Sequence, residues 1–116
     1  MAEYLFLFRG GDASGIRQSP EAWQLHMQKW MQWMGAITEQ GKFLSAQPLD
    51  QSGKQVLGDK KIVTDGPFIE GKEMVGGYLM CTAASYAEAV EMAKNCPILE
   101  FEDGKVEIRQ INSLAM

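Results

Sequence analysis

Four charged residues fall within eight positions of each other at Asp65, Glu70, Lys72 and Glu73. They flank the rigid turn Val63-Thr64-Asp65-Gly66-Pro67-Phe68, and turns carried by a scaffold are where sites tend to be built. Asp65 has two uses open to it. It can present a carboxylate at the rim of a cleft, or accept backbone N–H bonds from its own turn. A lysine among acids favours their ionised form and can hold an anion. Equally, Glu70, Lys72 and Glu73 can be a solvated rim. His26 is the chain's only histidine, the residue type that most readily moves a proton near neutral pH. It stands on a helical face beside Trp23, Trp30, Trp33 and Ile37, away from Gln24, Gln28 and Gln32. There it can act as general acid or base if a carboxylate orients it, or serve as a hydrogen-bonded boundary residue. Paired in one pocket, His26 and Asp65 would be the catalytic residues. Arg9, at the end of the first strand, would bind substrate with Glu70, Lys72 and Glu73, or close a surface salt bridge.

Other chemistries lack their residues. Cys81 and Cys96 lie in different elements, and with one histidine they give no metal-ligand spacing. Gly10-Gly11 lacks the lysine and serine of a phosphate loop, and no dinucleotide fingerprint follows it. No serine sits in an elbow motif. The reading is therefore of a chain with no metal and no cofactor.

The elements that must position these residues follow from pattern. Tyr4–Phe8 is a strand that is apolar on both faces. Ser19-Pro20 starts a helix that runs to Glu39-Gln40 and closes at Gly41. Its expected inner stripe is Trp23, Met27, Trp30, Met31, Met34 and Ile37. Phe43–Gln47 is a second strand. Residues 54–57 and 60–64 form a hairpin through Gly58-Asp59. Gly76–Thr82 is a strand whose paired glycines allow a bulge or a close backbone approach. Ser85 and Glu88 make a capping box for a second helix, with Tyr86, Ala89, Val90 and Ala93 inward, ending at Asn95-Cys96-Pro97. Val106–Ile108 is the last strand. Two helices on one face of a mostly antiparallel sheet make an α+β sandwich.

Length and charge bound the rest. The 116 residues make one domain, 1–116. A net charge of −4 without a basic stripe argues against nucleic acid. No run of 18 apolar residues spans a membrane, and without a secretion signal a reduced, cytoplasmic location is expected. Because the first strand is apolar on both sides, a homodimer with sheets packed face to face is expected.

The Asp-Gly-Pro-Phe run, with Tyr4–Gly10, Glu70, Lys72-Glu73, Gly76-Gly77-Tyr78, Ala93–Leu99 and Val106–Arg109, resembles the YCII-related family, in the branch named for that motif. The resemblance covers essentially the whole chain. It implies a ferredoxin-like α+β domain forming a dimeric α/β barrel, with a histidine and an aspartate facing a pocket. Asp65 falls in the motif itself, and His26 stands on the first helix. The expected function is a small cofactor-independent enzyme using acid/base residues in a cleft. The alternative is a non-enzymatic dimeric domain that binds a small molecule or a protein. Neither substrate nor reaction is specified.

Overall fold

Two serines, Ser19 and Ser85, start the two helices, which pack on one face of the sheet. A computed structural model describes residues 1–11, 19–65 and 74–112; Glu70, Lys72 and Glu73 lie outside the described residues. The elements run β1 (Ala2–Arg9), α1 (Pro20–Glu39), β2 (Phe43–Pro48), β3 (Lys54–Leu57), β4 (Ile62–Asp65), β5 (Val75–Ala83), α2 (Tyr86–Ala93), a 3-10 turn (Pro97–Glu100) and β6 (Lys105–Gln110).

At the start of α1, Ser19 Oγ accepts from Ala22 N at 3.3 Å, and Pro20 supplies the first helical φ. At its end Gly41 takes φ +73°. Gly41 N then donates to Thr38 O and Lys42 N to Ile37 O, the paired bonds of a Schellman motif. In α2, Ser85 Oγ accepts from Glu88 N at 3.2 Å. The Glu88 carboxylate reaches one residue further back than a standard capping box, accepting from Ala84 N.

The main sheet has the order β2-β5-β1-β6, with β1 antiparallel to both neighbours. This is the arrangement of two interlocked βαβ units, the ferredoxin-like fold. Tyr4, Phe6 and Phe8 face the helices and sit opposite Cys81, Leu79 and Gly77. With Trp33, Ile37, Ala89, Ala93, Cys96 and Ile98 they form the core. Phe6 stacks on Trp33 with ring centroids 6.3 Å apart, and Phe8 meets Trp30 edge-on at 5.1 Å. Trp33 Nε1 also donates to Met92 O, which ties α1 to the end of α2. The expected bulge is present: Phe8 pairs with Gly77 and Arg9 with Val75, so Gly76 is the extra residue.

Three expectations need adjustment. The inner stripe of α1 is His26, Trp33 and Ile37, with Trp30 and Met34 partly buried, whereas Met31 is 64% exposed and Met27 also faces out. The physical reason is rotation: counting only apolar residues centres the stripe between tryptophans and methionines, whereas the bulky rings and the histidine take the sheet side. In α2 only Ala89 and Ala93 are buried; Tyr86 and Val90 lie at the rim. There the Tyr86 hydroxyl accepts from Gln110 N, and its ring meets Tyr4 edge-on. The hairpin turn spans Gly58–Lys61 rather than two residues, with both ends at positive φ and Lys61 N donating to Gly58 O.

On the sheet's other side, the register brings Leu5 opposite Met80 and Leu7 opposite Tyr78 and Glu107. These side chains are half-buried. The hairpin β3–β4 is a separate two-stranded sheet.

Candidate functional site

His26 sits two turns into α1, deep on the sheet-facing side and only 7% exposed. The α1 spacing places Trp23 and Trp30 around it, and Phe101, after the 3-10 turn, closes the far side with its ring 5.2 Å from the imidazole. Trp30 Nε1 donates to His26 Nε2 at 3.0 Å. An indole can only donate, so Nε2 is the unprotonated nitrogen, and the ring proton of the neutral imidazole resides on Nδ1. Nδ1 is buried and has no hydrogen-bond partner among the described residues. It looks toward Glu100 Oε2, 3.7 Å away. A buried polar atom without a partner is uncommon and calls for an explanation.

Glu100 is the hub of the cluster. Its other oxygen accepts from Lys29 Nζ at 2.8 Å. That bond is the chief reason its carboxyl is held below the usual glutamate range; the nearby imidazole adds to it. Lys29 lies one turn beyond His26 on α1. The turn at Pro97–Glu100 brings the acid back against that helix. A groove of about 580 Å³ opens beside this pair, between the second half of α1 and the segment that follows α2, lined among others by Lys29, Gln32, Asn95, Cys96 and Glu100. Cys96 is not a nucleophile there, since burial pushes its thiol up to about 12. Cys81, in the core, is pushed up to about 11 for the same reason. Among the described residues no group of three or more histidines, cysteines and acids could hold a metal ion.

Of the residues expected to form one site, the described ones, His26, Asp65 and Arg9, stand on different elements. Asp65 ends β4 on the hairpin, 77% exposed on its side chain, and takes a salt bridge from Lys54 Nζ at 2.6 Å. Among the described residues, the carboxylate facing His26 is Glu100. Arg9 projects from the sheet face opposite the helices, where its Nε donates to Glu107 Oε1 at 3.2 Å, and Arg109 bonds the other oxygen of Glu107. Sequence reading missed both Glu100 and Lys29. Lys29 follows His26 at helical spacing and was open to detection. Glu100 was not, because nothing local announces that a 3-10 turn folds it onto α1.

With the fold and this cluster in view, the chain belongs to the YCII-related domain family, whose model matches residues 3–115. Among curated proteins none matches. Among solved structures, one similar to this chain is 5-chloro-2-hydroxyhydroquinone dehydrochlorinase (TftG) from Burkholderia phenoliruptrix AC1100, in complex with 2,5-dihydroxybenzoquinone. It is 14% identical, with a TM-score of 0.51 over 97% of this chain and 94% of that one. At that identity the likeness is one of fold. No helix among the described residues is long and apolar enough to cross a membrane.

Proposed function

We propose that this protein is a small enzyme that needs no cofactor and moves a proton on a small organic substrate, with His26 as general base and Glu100 as the carboxylate that orients it. The observation carrying the reading is the buried imidazole itself. One nitrogen is fixed as an acceptor by Trp30, and the other is aimed, without a hydrogen-bond partner among the described residues, at an ionised carboxylate.

The chemistry follows from those contacts. A substrate O–H or acidic C–H takes the place of the Trp30 indole at Nε2. The proton passes to Nε2 and its electron pair stays on the substrate. The imidazolium so formed carries its Nδ1–H toward Glu100, whose charge stabilises it, as in other oriented histidine–carboxylate pairs. Lys29 keeps Glu100 ionised and in place. Lys72 is the anchor for an anionic group, with Glu70 and Glu73 at the rim. Arg9, on the far face of the sheet and paired with Glu107, and Asp65, on the hairpin and paired with Lys54, lie away from this imidazole within the chain. The ligand bound in the dehydrochlorinase, 2,5-dihydroxybenzoquinone, is a sensible first probe, because its acidic hydroxyls suit a base of this kind.

A second reading has its own observation. His26 is almost wholly enclosed and its Nε2 is already bonded, as expected of a structural histidine in a non-enzymatic binding domain. The two readings separate in one experiment. The imidazole nitrogens of labelled protein are followed by NMR during titration with 2,5-dihydroxybenzoquinone, small phenols and small carboxylates. Solvent-hydrogen exchange into any ligand that binds is then compared between wild type and His26→Asn. The enzyme reading expects the Nε2 signal to move as the indole is displaced, and exchange to fall by about 10²–10⁴ in the variant. Binding with an unmoved Nε2 signal and equal exchange would establish the binding domain instead. The homodimer belongs to the same proposal: the half-buried Leu5, Leu7, Tyr78 and Met80 are best covered by a second copy's equivalent face.

A further inference from the structure

The β3–β4 hairpin is apolar on both of its faces. Val56 pairs across the strands with Val63 on one face, and Leu57 with Ile62 on the other. All four are exposed, from 46% for Leu57 to 66% for Val56. Alternation along a strand normally gives one wet face and one dry face, so a hairpin with valines out on one side and leucine and isoleucine out on the other has no solvent side at this segment. A two-stranded hairpin is also marginal in water by itself and needs a third strand or a packed face. Here the main contacts of β3 and β4 are with each other.

The same chain has a second surface in need of cover, the sheet face bearing Leu5, Leu7, Tyr78 and Met80. Four strands about 4.8 Å apart and about six residues long give it a flat area of about 400 Å². A stable interface takes about 800 Å² from each partner. Face-to-face packing of a sheet this small therefore supplies part of what a durable dimer requires. The arm is the exposed apolar surface that supplies the rest. A twofold axis places one arm and one sheet face on each side, so the two needs cancel within a closed pair.

We infer that the occupant of this arm is a second copy of the chain: in the dimer each β3–β4 hairpin lays an apolar face on the partner, gripping it beyond the edge of the sheet interface. The inference rests on the proposed homodimer and adds the element that makes it tight. Asp65, at the base of the arm beside Val63, is carried toward the partner by the same movement, which gives this otherwise distant acid a route to a shared site.

The test is sedimentation equilibrium from sub-micromolar to about 100 µM, with circular dichroism on every variant. Wild type is compared with Val56→Asp/Val63→Asp, Leu57→Asp/Ile62→Asp and Leu7→Asp. The hairpin side chains are outside the core, so the hairpin variants keep the wild-type spectrum. The expected result is a wild-type dimer, and a dimer dissociation constant raised at least about tenfold by one or both hairpin pairs. If wild type is a dimer that Leu7→Asp dissociates while both hairpin variants bind within twofold of wild type, the arm is overturned and the sheet dimer stands. A wild type that stays at 12.9 kDa throughout overturns the arm and the dimer together, and leaves the chemistry proposed for His26 to its own test.

Discussion

Phe6 and Val56 are both apolar, both in the middle of antiparallel strands, and both opposite apolar partners. Phe6 is wholly buried and Val56 is 66% exposed. The difference lies in what is stacked on them. Phe6 has a strand on each side and α1 above, with Trp33 on its ring. Val56 has one partner strand. The body of the protein is a two-layer sandwich that satisfies itself on the helix side, whereas the hairpin has β propensity and backbone pairing but no packed layer. Propensity and pairing thus shape a strand, and only a second layer makes it contribute much to stability.

Substitutions can break or sharpen that contrast. Phe6→Ala carries the largest expected effect. It empties the centre of the sheet beneath Trp33, and urea denaturation should show a loss of about 3–5 kcal/mol. Ser85→Ala, at the border of the body, removes the side chain that accepts from Glu88 N; the same denaturation curve should shift by about 1 kcal/mol.

A smaller effect is expected from acid. Glu88 is held below the usual 4.5, chiefly by the hydrogen bond from Lys42 and next by Ala84 N. A carboxyl whose folded value is lowered stabilises the fold above its unfolded value, and that contribution is lost as pH falls through the folded one. Lowering the pH from 6 to 3 should therefore reduce the urea midpoint less in Lys42→Met than in wild type. An equal fall in both would show that Glu88 contributes nothing to acid sensitivity.

Val56→Thr should be the quietest. In dilute protein, where chains are separate, its stability should stay within about 0.5 kcal/mol of wild type. A loss as large as that of Phe6→Ala would mean that the hairpin is packed within its own protomer after all, and the contrast would fail.

Much of the body was legible in advance, for local reasons. Ser19-Pro20, Gly41, Ser85 with Glu88, and Asn95-Cys96-Pro97 mark helix ends by capping chemistry that acts within a few residues, and the helices begin and stop there. Strand periodicity puts Tyr4, Phe6 and Phe8 on one face of β1 and Leu5 and Leu7 on the other, but a run apolar on both faces does not say which of them meets the helices. The rotation of α1 was less legible, because Trp, Met and Leu are all apolar and only the sheet distinguishes among them. The 3-10 turn at Pro97–Glu100 carries no strong local signal. The candidate site suffered accordingly. His26 was identified by its type, but its facing carboxylate is set by a contact between residues 74 positions apart.

What the chain's order of residues determined was periodicity and punctuation: where each helix and strand runs, that the first strand is apolar on both sides, and that one histidine stands among tryptophans. These depend on neighbours a few positions away, so they are written locally. What only the tertiary structure decided was which distant groups meet: Glu100 and Lys29 against the imidazole, Asp65 against Lys54, Arg9 against Glu107. Those contacts arise from packing α1 and the 3-10 turn against the sheet, and from the hairpin standing apart from it. Pairings across the chain depend on how the layers are stacked, and no short stretch of residues specifies that.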